Sequence, residues 1–254
     1  MTKKMLLAMT MLALSSQIVP TGASQDAVHA PDGSTRETIT SIVVPPIPDA
    51  PFSANVDTEW TRYLENGSTR LLKNRRLIAR DGRGRVFQER RTFGPAGSPV
   101  QSQLWRIELA EPQTQTVAYC DTRTRVCELR IYHPPAAVAE TPAGLSAKGG
   151  DSLVREDLGI RTVNGLDLVG TRESQQLALI AAGTNRPLMI VKEFWYSRQL
   201  GLNVFTKRDD PRTGREVFTV TDIHPSEPDP GLFTLPTDAR IVDYRTAAAS
   251  RSVP

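Results

Sequence analysis

The 254 residues carry 31 Lys and Arg against 28 Asp and Glu, a formal charge of +3 with the arginines scattered among the acids. So even a balance excludes the one-signed basic field of a nucleic-acid binder, and no nucleic-acid partner is expected. His29, His133 and His224 lie far apart, and no zinc-protease, phosphate-loop, nucleophile-elbow or EF-hand motif occurs. No catalytic residue, metal site or cofactor is therefore expected.

Lys3 and Lys4 precede the apolar run Met5 to Leu14, and the small residues Gly22-Ala23-Ser24 follow. That order predicts a secretory signal over 1–24, cut after Ser24. The run is shorter than the roughly 20 residues needed to span a bilayer, and no later segment comes closer, so no transmembrane segment is expected once the signal is removed. No cysteine follows the cleavage point, which argues against a lipid-anchored terminus. The expected product is exported, periplasmic or secreted.

Residues 25–50 hold Pro31 and the Val44-Pro45-Pro46-Ile47-Pro48 stretch without apolar periodicity, and read as a flexible Pro-rich leader. From Phe52 onward apolar and polar residues alternate (Phe52, Ala54, Val56, Trp60 against Ser53, Asn55, Asp57, Glu59), the period of a half-buried strand. Asn66-Gly67 marks a hairpin turn rather than a glycosylation site. Strands follow over Leu71 to Ile78, Val86 to Arg91 and Leu104 to Leu109.

Cys120 and Cys127 are flanked by two strand-like runs, Thr116 to Tyr119 and Glu128 to Tyr132. In a hairpin turning over Thr122 to Arg125 they stand opposite each other, on one face with Ala118, Leu129 and Ile131. Export to an oxidising compartment then favours a disulfide over a redox or metal pair. A Pro/Ala/Gly stretch, Pro134 to Gly150, reads as a long loop or covering segment. Further strands run through Glu156 to Val163, Leu166 to Arg172, Leu188 to Tyr196, Leu202 to Lys207 and Glu216 to Ile223, separated by Asn164-Gly165, Gly201 and Asp210-Pro211-Arg212-Thr213-Gly214.

Almost nothing has a helical period. The expectation is an all-β domain over 51–244 with few helices and a disordered tail over 245–254. Its strands, about ten or eleven, would form a single curved antiparallel meander, an open half-barrel.

Glu156-Asp157-Leu158-Gly159, Asn164-Gly165 with Gly170-Thr171-Arg172, Asn185-Arg186-Pro187, Phe194-Trp195-Tyr196-Ser197, Asp210-Pro211-Arg212-Thr213-Gly214 and Glu227-Pro228-Asp229-Pro230-Gly231-Leu232-Phe233 occur in this order. In these motifs the chain resembles a functionally uncharacterised family of exported soil-bacterial proteins, over roughly Phe52 to Tyr244. More distantly, the second half resembles the periplasmic lipoprotein-carrier fold of LolA, LolB and the sensor domain of RseB. There a Trp-bearing strand, a hairpin, a strand and a Phe-x-x-Pro segment recur, the last here being Phe233-Thr234-Leu235-Pro236. The resemblance implies an open, curled sheet with an apolar concave face that holds acyl chains. The chain departs from it in its scarcity of lid helices and in its cysteine hairpin.

Several strands, notably Leu188 to Tyr196, are apolar on both faces. One face is core; the other is covered or lines a cavity. The candidate ligand-binding residues are Met189, Val191, Trp195, Phe205 and Phe218, with the face of each left open, although an aromatic such as Trp195 is more often core. Two functions follow. One is a non-enzymatic carrier or sensor for a lipid, a lipidated protein or another apolar ligand, with an envelope protein as a further partner. The other is a structural or interaction β-module without a cavity.

Overall fold

The computed structural model describes residues 42–64, 66–96, 102–134, 144–145, 152–177 and 187–245. The strands are β1 (Phe52–Tyr63), β2 (Thr69–Arg80), β3 (Val86–Arg91), β4 (Gly94–Pro95), β5 (Leu104–Glu111), β6 (Thr116–Asp121), β7 (Val126–Ile131), β8 (Gly144–Leu145), β9 (Ser152–Val163), β10 (Leu166–Leu177), β11 (Leu188–Ser197), β12 (Leu202–Asp210), β13 (Gly214–His224) and β14 (Arg240–Asp243). A 3-10 turn spans Pro230–Phe233. All 14 strands belong to one open sheet, ordered β14-β7-β6-β5-β3-β2-β1-β13-β12-β11-β10-β9-β8, with β4 paired to β2 off that path.

The all-β, open half-barrel expectation holds, with two differences. The described residues form 14 strands rather than ten or eleven, because β4, β8 and β14 are two to four residues long and too short to leave a period. The meander also does not run unbroken: two sequential runs meet where β1 pairs with β13. Val56 stands between Arg76 and Val220 there, so the alternating faces of β1, β2 and β13 coincide. At the far edge the chain returns as β14 to pair in parallel with β7. Register shifts interrupt four ladders, at Ser53/Asn55, Arg90/Arg91, Gly170/Thr171 and Trp195/Tyr196. Such bulges bend strands and raise the local twist, which curls a long sheet.

Turn chemistry places the hairpins. Asn164 and Gly165 both have positive φ between the paired Val163 and Leu166, the two-residue turn whose twist suits antiparallel strands. Asn66-Gly67 instead belongs to a longer loop: β1 ends at Tyr63, and the Asn66 carboxamide oxygen accepts from the Ser68 N–H. At Asp121 the carboxylate accepts from the N–H groups of Arg123 and Thr124, closing the cysteine turn. Cys120 and Cys127 are directly paired across β6 and β7 and form the disulfide, with Cα atoms 4.0 Å apart.

The main core lies on the inner face, where Phe52, Ala54, Val56, Ile78, Val86, Phe218 and Val220 are buried. What covers them is part of the segment read as a flexible leader. Ile42 and Val44 are buried in this cluster, each contributing about 1.5–3 kcal/mol of burial. Ile42 and Val44 are thus packed, and the flexible-leader reading does not hold for them, while Ile47, Pro48 and Asp49 are exposed; residues 25–41 lie outside the described set. Arg80, with none of its surface exposed, fixes the strap by donating to the carbonyls of Ala50, Pro45 and Leu200 at 2.9, 3.0 and 2.8 Å. Burial lowers this guanidinium to about 10, so it remains a cation at neutral pH.

The outer face of the β2–β7 end has its own cover. Ala79, Phe87, Leu109, Ala118, Cys120 and Cys127 form a second cluster against Leu232, Phe233, Leu235 and Ala239 of the closing segment. Arg245, read as the start of a disordered tail, holds the Asp243 carboxylate and the Thr116 hydroxyl. The signal, the rest of the tail and most of Pro134 to Gly150 fall outside the described residues.

Candidate functional site

A cleft of about 340 Å³ opens on the inner face between the strap and β3, β5 and β6. Its lining holds Val43 and Val44 of the strap and an apolar cross-strand row, Val86, Ala110 and Val117. The next row on the same sheet face is Gln88, Glu108 and Tyr119, and Arg90, Tyr132 and His133 also line the cleft. Strand pairing assembles it, since Val86 stands opposite Ala110, Gln88 opposite Glu108, Ala110 opposite Val117 and Glu108 opposite Tyr119. Paired residues share a face, so each strand contributes alternate residues.

The lining itself carries one guanidinium, Arg90, and one carboxylate, Glu108, with two further guanidiniums, Arg106 and Arg76, beside them outside the lining. Glu108 takes Arg90 Nη2 on one oxygen at 2.6 Å and Arg106 Nη2 on the other at 2.5 Å. Behind them Arg76 donates to Gln88 Oε1 at 3.3 Å and to the Ile42 carbonyl at 3.1 Å. Three guanidiniums thus crowd around one carboxylate. Burial, then the charge of Arg90, brings Arg76 down to about 9. Burial pushes the Glu108 carboxyl up, but Arg90 and Arg106 outweigh it and hold it below its usual range. Burial, then Glu108, raises the Tyr119 phenol. Among the described residues, Arg90 Nη1 and Arg106 Nε are buried without a hydrogen-bond partner. Uncompensated buried charge is costly, so such a cluster favours an anion.

The residues proposed from sequence are not gathered in this cleft. Phe218 is core, on the inner face of β13 opposite Thr58 and Thr206. Trp195 pairs with Gly170 and Phe205 on the other face of β11 and β12, yet belongs to the same buried cluster and is only 8% exposed. The bulge beside it, where Tyr196 pairs with Asn203 rather than Val204, turns that stretch into the core. Phe205 is half-buried against this cluster, and Arg161 stacks 3.7 Å from the Trp195 centroid and 5.8 Å from that of Phe205. Val191 is half-buried and Met189 is 46% exposed. The inner face is also not apolar throughout: Arg76, Arg90, Arg106 and Glu108 occupy it beside the apolar core. The alternation of β2 and β3 held the signal for these residues, because Arg76 falls in phase with Ile78, and Arg90 with Gln88 and Val86.

Fold and cleft define an architecture: one open, curled β-sheet with a strapped inner face. No family model matches the sequence, and no curated protein matches it. Among solved structures the chain is similar to the MucA/MucB complex of Pseudomonas aeruginosa (TM-score 0.37, 11% identity, covering 76% of this chain) and spans 58% of that chain's length. It is also similar to LprF from Mycobacterium bovis (TM-score 0.28, 10% identity, 74% of this chain and 90% of that one). A third is a LolA-superfamily protein from Nitrosomonas europaea (TM-score 0.25, 9% identity, 74% and 91%). At these scores no ligand, partner or site residue passes to this chain. Among the described residues, no helix is long and apolar enough to cross a membrane, and no group of His, Cys, Asp and Glu could hold a metal ion.

Proposed function

We propose that this protein is an exported, non-enzymatic carrier or sensor that binds a lipid-like amphiphile in the cell envelope, with its anionic end at Arg90 and its apolar part along Val43, Val86, Ala110 and Val117. The observation that carries the reading is the mixed lining of the cleft, an apolar cross-strand row beside a buried cluster with excess positive charge. At about 340 Å³ the cleft lies at the small end of ligand pockets, which run from about 300 to 1,000 Å³. It suits one chain or the end of one, rather than a bundle of acyl chains. The disulfide supports passage through an oxidising compartment, in keeping with the N-terminal signal.

Native mass spectrometry of the mature protein, followed by titration with a fluorescent fatty acid, tests this. Saturable binding is expected, weakened about tenfold or more in Arg90→Met, the range for a lost hydrogen bond to a charged group. Val86→Arg should block the apolar row. No retained ligand together with no saturable binding would overturn the proposal.

A further inference from the structure

We propose that the free edge of β9 pairs antiparallel with the same edge of a second copy of this chain. β8 covers β9 only at Ser152 and Leu153. Among the described residues, the remaining ten of its twelve, Val154 to Val163, have no strand on that side. Among its charges and its bulge the edge also exposes apolar residues: Ile160 is 71% exposed, Val154 60% and Val163 38%. A long edge with exposed apolar residues is a template for another strand.

The second copy is chosen as occupant because the edge complements itself. Rotation about its midpoint, between Leu158 and Gly159, sets Val154 opposite Val163 and Glu156 opposite Arg161, each twice by symmetry. It also sets Asp157 opposite Ile160 and Arg155 opposite Thr162. Such pairs must share a face, and a strict alternation would forbid it for Val154 and Val163. The bulge permits it. Gly170 pairs with Gly159 and Thr171 with Asp157, so Leu158 is an extra residue and the alternation shifts by one. Val154, Glu156, Arg161 and Val163 consequently stand opposite Ser174, Arg172, Leu168 and Leu166, all on one face of β10. In the dimer each bulge meets its symmetry mate, which keeps the register on both sides. Inside the bulge the Gly159 N–H is already capped by the Asp157 carboxylate at 2.8 Å, so the ladder runs on either side of the axis rather than through it. Contact of one patch with itself is the two-fold arrangement of most homodimers.

Sedimentation of the mature full chain reads the proposal first: a concentration-dependent dimer is expected. Arg161→Glu should weaken it about five- to thirtyfold, from two like-charged cross-strand pairs at about 0.5–1 kcal/mol each. The exchange Glu156→Arg with Arg161→Glu should restore it, which separates the interface effect from loss of the Arg161 stack on Trp195. Since the native cysteines are tied together, Val154→Cys and Val163→Cys give a direct test of register. Mixing the two single variants should yield a mixed disulfide dimer, and neither alone should link as well. A monomer throughout, equal linking within each single variant, or no rescue by the exchange would overturn the proposal.

Discussion

Trp195 stands where a side chain on Gly170 would have to go. A Cβ built there meets Trp195 Cζ3 and Cη2 at 2.7 Å and the Leu158 Cβ at 2.9 Å. The cross-strand pair Gly170–Trp195 therefore lets the indole lie close over β10 and, with the neighbouring bulge, reach the core. Gly170→Ala is expected to destabilise by about 1–3 kcal/mol through overpacking. Adding Trp195→Leu should recover part of that loss, and the non-additivity can be read from denaturant midpoints of the two single variants and the double.

Arg80 is the fastening of the strap. Arg80→Met leaves three carbonyls without their donor, and a loss of about 2–4 kcal/mol is expected in urea unfolding. Arg80→Lys should recover little, because an ammonium cannot reproduce the three-way fork of the guanidinium. Limited proteolysis should find residues 45–50 cut earlier in both variants.

Glu108 is the one carboxylate held among Arg90, Arg106 and Arg76. Its acidity in the folded state is increased, so it contributes stability above its ordinary value of 4.5, and that contribution is lost as pH falls through and below that value. Glu108→Gln should therefore cost about 3–5 kcal/mol at neutral pH, as when one partner of a buried pair is removed. The difference from wild type should shrink as pH drops below 4.5. Urea titrations at pH 7, 5 and 3 measure it, and a constant difference would contradict the pairing.

The disulfide braces a hairpin already held by its ladder and by the second core cluster. Replacing Cys120 and Cys127 by Ala should cost about 2–3 kcal/mol, since the closed loop is short. The far-ultraviolet circular dichroism should keep its β signature. Unfolding of the whole domain at 25 °C would show the bridge to be more than a brace.

The strands from Phe52 to Tyr63, Leu166 to Leu177 and Gly214 to His224 were legible because alternation and turn residues are local properties, and so was the Cys120–Cys127 hairpin. The joining of β1 to β13 and the parallel return of β14 were not legible, since pairing between residues so far apart leaves no local trace. Nor was the strap, because Ile42 and Val44 lie in a proline-rich stretch with no period, and only the space over Phe52 and Val86 makes them core. The face of Trp195 could not be assigned, because a bulge moves every later side chain to the other side of the strand and leaves no mark in the alternation itself. The charged cluster stayed hidden for a related reason. Arg76, Arg90, Arg106 and Glu108 come from three strands, each looks like an ordinary surface residue in its own segment, and only strand pairing brings them onto one inner face.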